Sequence, residues 1–190
     1  MQKNNQTLNE SPHICPHRLA LFLDNRIRRL FQNPNKILGE YIRENDTVID
    51  MGCGPGFFTI DMAKMVGPGG RVIAVDLQSK MLERVRRKAG RHGVADRIAY
   101  HQCGERYIGL KEHADFILAY YMIHETPNPV FFLNEAQALL KEGGRMLVVE
   151  PKFHVSKNEF EDFVDSAENA GLKVEIFPSQ KGGRSVLFAV

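Results

Sequence analysis

Hydrophobic and polar positions along the chain follow two patterns, one typical of buried strands and one typical of amphipathic helices. Seven short apolar runs, each bounded by turn residues, predict strands at residues 47–51, 71–75, 98–102, 115–120, 145–150, 173–178 and 185–190. Helices are predicted between the first six strands. Three of them have readable caps: residues 80–92 after Ser79, residues 129–141 after Asn128, and residues 157–170 after the capping box of Ser156 and Glu159.

Two further helices are predicted before the first strand. Apolar positions recur at helical spacing over residues 17–31. Residues 1–16 are polar and contain two prolines, which predicts a loose or partner-dependent tail. The second helix begins at Pro34, and its apolar face is formed by Ile37, Leu38, Tyr41 and Ile42.

The order of these elements predicts an α/β fold. Strands that alternate with helices indicate a parallel sheet, doubly wound by right-handed crossovers. Only six residues, SQKGGR, separate the last two predicted strands, and so short a connection has no room for a crossover helix. The seven-stranded sheet is therefore predicted to be mostly parallel, with an antiparallel last strand.

Composition narrows the classes of protein without naming one. A chain of 190 residues with 43% hydrophobic and 25% charged residues is typical of a single globular domain. Its formal charge of +2 is too small to indicate a nucleic acid or membrane partner by itself. No apolar run approaches the ~20 residues that span a bilayer, and the polar start does not resemble a signal peptide. Three scattered cysteines favour a reduced, cytoplasmic protein.

The stretch VIDMGCGPGFFTI, residues 48–60, predicts a buried strand, a glycine turn and the start of a helix. Such a turn can hold a nucleotide, but Phe57 stands where the dinucleotide pattern G-x-G-x-x-G requires its third glycine. Pro55 removes a backbone N–H that a pyrophosphate would use. Asp50 places a negative charge nearby, which repels a diphosphate and attracts an ammonium group.

The second predicted strand ends next to Asp76, at the edge of a parallel sheet where ligands bind. An acidic residue in this position accepts both hydroxyls of a ribose. Asp76 therefore indicates an adenosine compound, whereas Asp50, Pro55 and Phe57 favour a cationic ligand without a phosphate over NAD.

These residues resemble those of a known family. V-I-D-M-G-C-G-P-G resembles the first motif of class I S-adenosylmethionine-dependent methyltransferases, of the small-molecule, methyltransferase-11-like type. V-I-A-V-D, A-D-F-I-L-A-Y and L-L-K-E-G-G-R-M-L-V-V-E are similar to later segments of that family, in the same order. The resemblance covers roughly residues 36–190 and implies a Rossmann-like fold. It also implies a single domain, 1–190, in which residues 1–45 form a tail and lid helices and residues 46–190 form the catalytic core.

The resemblance also implies where S-adenosylmethionine binds. Its methionine part would lie over Gly52, Gly54 and Gly56, with Cys53 as a small residue that fits the turn and Asp50 near the amino group. Asp76 would bind the ribose, and Leu77 and Met81 would lie beside the adenine. Many members carry an acidic or amide residue after the third strand, where this chain has Cys103 and Gly104, followed by Glu105; backbone groups of residues 103–105 are the preferred contacts to adenine. Tyr120 completes the predicted set.

The segment after the fourth predicted strand would face the reaction. Methyl transfer from a sulfonium is an in-line displacement that depends on alignment, and it needs a general base only when the acceptor carries a proton. Tyr120, Tyr121 and His124 are the candidate catalytic residues, with wall and turn-capping roles as the alternative. The segment lacks the N-P-P-Y and D-P-P-Y signatures of enzymes that methylate nucleic-acid bases. A small-molecule acceptor is expected, with neither nucleic acid nor membrane as partner, in a monomer or homodimer.

The segment His13-Ile-Cys15-Pro-His17 is the least usual part of the chain. As part of a lid it could contact the acceptor, as could His154 by its position after the fifth strand. Histidine and cysteine also bind soft metals, so a metal or metalloid site and a thiol or arsenite-like methyltransferase stay open as alternatives, beside a plain helix start. An NAD-dependent oxidoreductase and a non-catalytic cofactor-binding protein are less favoured.

Overall fold

A single seven-stranded sheet forms the centre of the molecule. The computed structural model describes residues 32–190, and within them the strands lie in the order β3-β2-β1-β4-β5-β7-β6. The strands are β1 Thr47–Met51, β2 Arg71–Asp76, β3 Ile98–Gln102, β4 Ala114–Tyr120, β5 Leu140–Pro151, β6 Lys173–Ile176 and β7 Gly183–Ala189. All seven predicted strands are thereby confirmed, with ends that shift by a few residues.

The direction of the strands confirms the predicted topology. Strands β1 to β5 run parallel to one another in the pairs β2–β3, β1–β2, β1–β4 and β4–β5. Strand β7 lies between β5 and β6 and is antiparallel to both. The sheet is therefore Rossmann-like, and the carboxyl ends of β1 to β6 all lie along the same edge of it.

Five α-helices flank the sheet in the described part of the chain: α1 Pro34–Leu38, α2 Thr59–Met65, α3 Ser79–His92, α4 Pro129–Ala138 and α5 Lys157–Asn169. Short 3-10 turns add Ala95–Arg97 and Ile123–Glu125. Asn128 caps α4, and the predicted capping box of α5 is present. None of the helices in residues 32–190 has the length and apolar character needed to cross a membrane. The helix predicted over residues 17–31 lies outside the described residues.

One predicted helix is absent, since residues 103–113 between β3 and β4 form no helix, and three predicted helix boundaries are wrong. Ser79 is the first residue of α3, and the residue before it, Gln78, occupies the cap position without a side-chain hydrogen bond. The helix predicted over residues 129–141 ends at Ala138, because the buried Leu140 pairs with Ala114 and begins β5. Helix α1 ends at Leu38, and its predicted apolar residues Tyr41 and Ile42 are buried beyond the end of the helix.

Alternate residues of the strands fill two separate cores, one on each face of the sheet. On β4, Phe116 and Leu118 pack among α1, α2 and α3, whereas Ile117 and Ala119 pack among α4 and α5. This alternation follows from the two-residue period of a strand. Because helices cover both faces of the sheet, a ligand is expected to bind at its carboxyl edge, where the strands end.

The capping box of α5 provides a test of the fold by substitution. The Ser156 hydroxyl accepts a hydrogen bond from the backbone N–H of Glu159, whereas Ser166, inside the same helix, donates to the Asp162 carbonyl. We expect Ser156→Ala to lower the free energy of unfolding by about 1 kcal/mol because the cap is lost. Urea denaturation measures this. Ser166→Ala is the matched control, with no comparable loss; equal effects of the two substitutions would contradict the assigned cap.

Candidate active site

The glycine turn after β1 lies against the first residues that follow β4. Gly52 has a φ of +65°, and a Cβ atom there would come within 2.8 Å of the Met122 Cβ. Gly54 also has a positive φ, +52°, but the space beside it is open. Side chains are therefore disfavoured at both positions by the backbone, and at Gly52 by a neighbour as well. The turn leaves open space beside Gly54, where a ligand can come close to the backbone.

The backbone N–H groups of the turn are already used inside the protein. The N–H of Cys53 donates to the Val75 carbonyl at 2.9 Å, and that of Gly56 donates to the Cys53 carbonyl at 3.0 Å. The N–H of Gly54 donates to the Asp76 carboxylate at 2.8 Å, and Pro55 has none. Residues 53–56 therefore have no N–H free to bind a diphosphate, and the turn does not fit the pyrophosphate of NAD.

Asp76, the last residue of β2, joins the glycine turn to the start of α3. One carboxylate oxygen accepts from Gly54, and the other accepts from the backbone N–H of Gln78 at 2.8 Å. Burial raises the pKa of Asp76, and the two backbone donors oppose this only in part. Each oxygen has two lone pairs, so each retains capacity to accept a hydroxyl. A ribose, which presents two neighbouring hydroxyls, suits this carboxylate.

Asp50 is buried in β1 and is held by the helix that follows the turn. Its carboxyl group accepts a hydrogen bond of 2.5 Å from the Thr59 hydroxyl, in the first turn of α2. The side chain lies among the residues that line the cavity described next. The hydrogen bond between Asp50 and Thr59 therefore joins β1, which precedes the glycine turn, to α2, which follows it.

A cavity of about 1060 Å³ opens at the carboxyl edge of the sheet. This is enough for a nucleoside-sized ligand and a small second molecule, since ligand pockets commonly measure about 300–1000 Å³. Gly56 and His154 are not among the residues that line it, and His13, Cys15 and His17 lie outside the described residues. The predicted residues that do line it are Asp50, Gly52, Cys53, Gly54, Asp76, Leu77, Met81, Cys103, Gly104, Glu105, Tyr120, Tyr121 and His124.

Aromatic rings form one wall of the cavity. The Tyr120 ring lies 4.6 Å from the Phe58 ring and 4.5 Å from that of Tyr121. Tyr121 has a φ of +60°, a conformation that costs a non-glycine residue of the order of 1 kcal/mol and is frequent at functional sites. Its hydroxyl accepts a hydrogen bond of 3.3 Å from the Gln32 side chain. Contacts with Phe58 and Gln32 therefore hold Tyr120 and Tyr121 in place.

His124 forms a close pair with Glu150, which sequence reasoning did not identify. Its Nδ1 contacts one carboxylate oxygen of Glu150, and the other oxygen accepts from the backbone N–H of Ile123 at 3.0 Å. Glu150 is 97% buried near the end of β5. The only signal in the sequence is an acidic residue at the end of an apolar strand, and its partner depends on the adjacency of β4 and β5.

The pairing sets the chemistry of the imidazole. Burial lowers the pKa of His124, but the hydrogen bond and the negative charge of Glu150, with a smaller effect of Glu125, outweigh burial and raise the pKa above its usual value. Since Nδ1 is held by Glu150, Nε2 is the nitrogen left to exchange a proton with a bound molecule. His154 is exposed, and its ring lies 5.5 Å from that of His124. His124 therefore has the properties of a general base.

The two cysteines of the described region do not have the properties of reactive thiols. Burial raises the pKa of the Cys103 thiol to about 11, and raises that of Cys53 well above its usual value. Both are protonated at neutral pH, whereas the thiolate is the form that binds metals and metalloids. In residues 32–190 there is no cluster of three histidine, cysteine or acidic side chains suited to a metal ion. The described structure thus lends no support to the arsenite-like alternative.

The fold and the site together define a class I S-adenosylmethionine-dependent methyltransferase. A family model described as a methyltransferase domain matches residues 42–181. A solved structure of a SAM-dependent methyltransferase from Aquifex aeolicus superimposes with a TM-score of 0.82 at 26% identity, over 93% of this chain and 100% of that one. The chain belongs to the methyltransferase domain family, and S-adenosylmethionine is its cofactor.

Curated relatives match a shorter part of the chain. The ubiquinone/menaquinone biosynthesis C-methyltransferase UbiE of Cellvibrio japonicus is 31% identical over 110 residues, which cover 57% of this chain and 44% of that protein. The demethylmenaquinone methyltransferase of Lactococcus lactis is 29% identical over 119 residues, 60% of this chain and 47% of that protein. Each match therefore spans less than half the length of the relative.

The assigned pair predicts the titration of His124. We expect Glu150→Gln to lower the His124 pKa, because the substitution removes the charge but keeps an oxygen for the Ile123 N–H. NMR titration of the imidazole protons measures this. Because the folded-state pKa is raised, the stabilisation from the pair is fully present below the unfolded pKa and is lost as pH rises through the folded one.

Glu125→Gln is the control for this titration, since Glu125 has the smallest effect on His124. A His124 pKa that is the same in wild type and Glu150→Gln, or that responds more to Glu125→Gln, would refute the pairing.

Proposed function

We propose that the protein transfers a methyl group from S-adenosylmethionine to a ring carbon of a small hydroxylated aromatic acceptor, of the phenol or quinol class. The observation that carries the proposal is the cavity-lining His124, held by the buried Glu150. A base at this position suits an acceptor that must lose a proton. The relatives named for C-methylation in quinone biosynthesis favour a ring carbon as the methyl acceptor.

The cofactor's place follows from the polar groups of the cavity. Asp76 accepts the ribose hydroxyls with the capacity that Gly54 and Gln78 leave unused. The open space beside Gly54 admits the methionine part, with the buried Asp50 below it. Leu77, Met81 and the backbone of residues 103–105 surround the adenine. Tyr120 and Phe58 present aromatic rings to a cation, which cation–π attraction stabilises.

When bound, S-adenosylmethionine supplies an electrophilic methyl group on a sulfonium. His124 Nε2 removes the hydroxyl proton of the acceptor, and Glu150 stabilises the resulting imidazolium, as in other carboxylate–imidazole pairs. The ionised ring is electron-rich at the carbons beside the oxygen, and one of them takes the methyl group. Loss of the proton from that carbon restores the aromatic ring, and His124 returns its proton to the oxygen. The new carbon–carbon bond forms as the methyl–sulfur bond of the sulfonium breaks, so the products are the methylated ring, S-adenosylhomocysteine and one proton released to water.

The walls of the cavity determine what enters. Apolar and aromatic side chains at the acceptor end include Tyr121, Met122, Phe131 and Phe132. Such a surface excludes water from the reacting atoms and holds a flat ring in register with the methyl group. These residues suit an aromatic acceptor better than a charged amino acid or a phosphorylated sugar.

The role of Asp76 is tested by binding of S-adenosylhomocysteine. We expect Asp76→Ala to weaken that binding by about 1–3 kcal/mol, because the ribose hydroxyls lose their acceptor. Isothermal titration calorimetry measures the affinity, and a thermal melt confirms that the variant is folded. Asp76→Asn, which keeps one oxygen, is expected to lose less.

Asp115→Asn is the matched control for Asp76. Asp115 accepts from the Thr47 N–H and pairs with Lys141 near the amino ends of the strands, away from the cavity. Its substitution is expected to leave the affinity for S-adenosylhomocysteine unchanged. Unchanged affinity in folded Asp76→Ala would exclude Asp76 from the ribose site.

The acceptor and the base are tested by transfer of a labelled methyl group to 1,4-naphthoquinol under anaerobic conditions. We expect a ring-methylated product, identified by NMR. His124→Asn is expected to lower kcat by about 10²-fold or more, with no change in the affinity for S-adenosylhomocysteine. The rate should rise with pH through the His124 pKa, and Glu150→Gln should move that rise to lower pH.

His154→Asn is the control, because His154 neighbours His124 but is exposed and does not line the cavity. Near-normal kcat in His124→Asn would remove His124 from the chemistry. Absence of transfer to any phenol or quinol by an enzyme that binds S-adenosylhomocysteine would reject the acceptor class.

A further inference from the structure

Most of the large exposed apolar side chains of the described residues lie on one side of the molecule. Seven large hydrophobic residues are exposed in residues 32–190, and four of them follow the carboxyl ends of β3, β4 and β5: Tyr107, Val130, Phe131 and Phe153. The other three are Val190 and, at the end of the short edge strand β6, Ile176 and Phe177. A cluster of this kind marks an interaction surface more often than scattered single residues do.

The strand directions place this cluster around the mouth of the cavity. Phe153 follows the end of β5, whereas Ile176, the last residue of β6, lies level with Leu147, four residues before β5 ends. Phe131 lies in the first turn of α4 and, with Tyr107, lines the cavity itself. The apolar surface and the entrance to the active site therefore share one edge.

Phe153 is the most exposed member, at 93% of its full accessible surface. The turn that carries it is anchored: the N–H of Lys152 donates to the Gly182 carbonyl at 3.1 Å, and the Arg184 side chain donates to the Val155 carbonyl at 3.3 Å. The segment is thus fastened to the connection between β6 and β7. A phenylalanine held out into water on an anchored turn forgoes the stabilisation that burial of its ring would give.

Lysines accompany the aromatic residues. Lys152 precedes Phe153, and Lys181 lies in the β6–β7 connection that contacts the same turn. Lys157, slightly further along, pairs with Glu161. The acidic side chains of this edge lie outside the turn that carries Phe153: Glu105 and Glu125 line the cavity, and Glu159 and Glu161 lie at the start of α5, where they bond Ser156 and Lys157. We name Lys152, Phe153 and Lys181 the outer rim; it carries two positive charges and no negative one.

We propose that the outer rim docks on the surface of an anionic lipid bilayer, with Phe153 between the headgroups and the two lysines on lipid phosphates. Exposed aromatic residues beside lysines are the pattern of interfacial binding. A second protein molecule on this edge would obstruct the mouth of the cavity, whereas a bilayer holds apolar acceptors that enter there. The proposal replaces the expectation, drawn from the small net charge, that the chain has no membrane partner.

The test is co-sedimentation of the full chain with two kinds of vesicle. One kind contains phosphatidylcholine alone, and the other is a mixture of phosphatidylcholine and phosphatidylglycerol. We expect binding to the mixed vesicles that weakens with added salt. Lys152→Glu and Lys181→Glu should each reduce the partition coefficient between vesicles and water by about fivefold or more. This factor corresponds to the attraction of about 1 kcal/mol that each basic residue has for an anionic surface. Phe153→Ser should reduce it by about tenfold.

Lys173→Glu and Val190→Ser are the matched controls, because they make the same changes on exposed residues at the opposite edge of the sheet. Neither should alter vesicle binding. Binding of S-adenosylhomocysteine should be unchanged in all five variants. Because neither vesicle binding nor this control uses a methyl acceptor, the test is independent of the proposed acceptor chemistry.

Two results would overturn the proposal. One is vesicle binding that contradicts the outer rim: the protein sediments equally with phosphatidylcholine vesicles and with mixed vesicles, or the outer-rim substitutions leave its binding to the mixed vesicles unchanged. The other is a dimer, seen by analytical ultracentrifugation, that Phe153→Ser converts to a monomer, since the outer rim would then be covered by a second copy of the chain.

Discussion

The hydrogen bond from the Gly54 N–H to the Asp76 carboxylate joins the ends of β1 and β2, the two strands that carry the proposed cofactor site. It holds the glycine turn in a left-handed conformation and orients a buried carboxylate whose second oxygen accepts from the N–H of Gln78, the residue before α3. The same bond uses an N–H that a dinucleotide-binding turn would offer to a phosphate. A single contact thereby favours a ribose and disfavours a diphosphate.

A second link across strand ends organises the acceptor side. Strands β4 and β5 are neighbours, so the segment after β4 reaches the end of β5, where Glu150 holds both the Ile123 N–H and the His124 imidazole. The left-handed backbone of Tyr121 aims that segment across the mouth of the cavity. The two links divide the cavity into a part built by β1 and β2 and a part built by β4 and β5, which suits a reaction between two bound molecules.

Elements governed by local pattern could be predicted from the sequence. The apolar runs, the end of α3 at His92 and the capping box of α5 each depend on neighbouring residues alone, and the glycine turn is recognisable from its composition. The helix predicted to reach residue 141 failed because Leu140 is drawn into β5 by its pairing with Ala114. Glu150 was missed for the same reason: its function depends on a residue 26 positions away in the chain. The outer rim arises from the strand directions, which bring separate loops to one edge.

The central claim is that one cavity holds the methyl donor on Asp76 and presents its methyl group to the side where His124 lies. A crystal structure of the protein with S-adenosylhomocysteine tests this most directly. We predict the ribose hydroxyls within hydrogen-bond distance of Asp76 and the sulfur directed toward the space bounded by Tyr121 and His124. A sulfur directed away from that space, or a ribose bound elsewhere than on Asp76, would contradict the account.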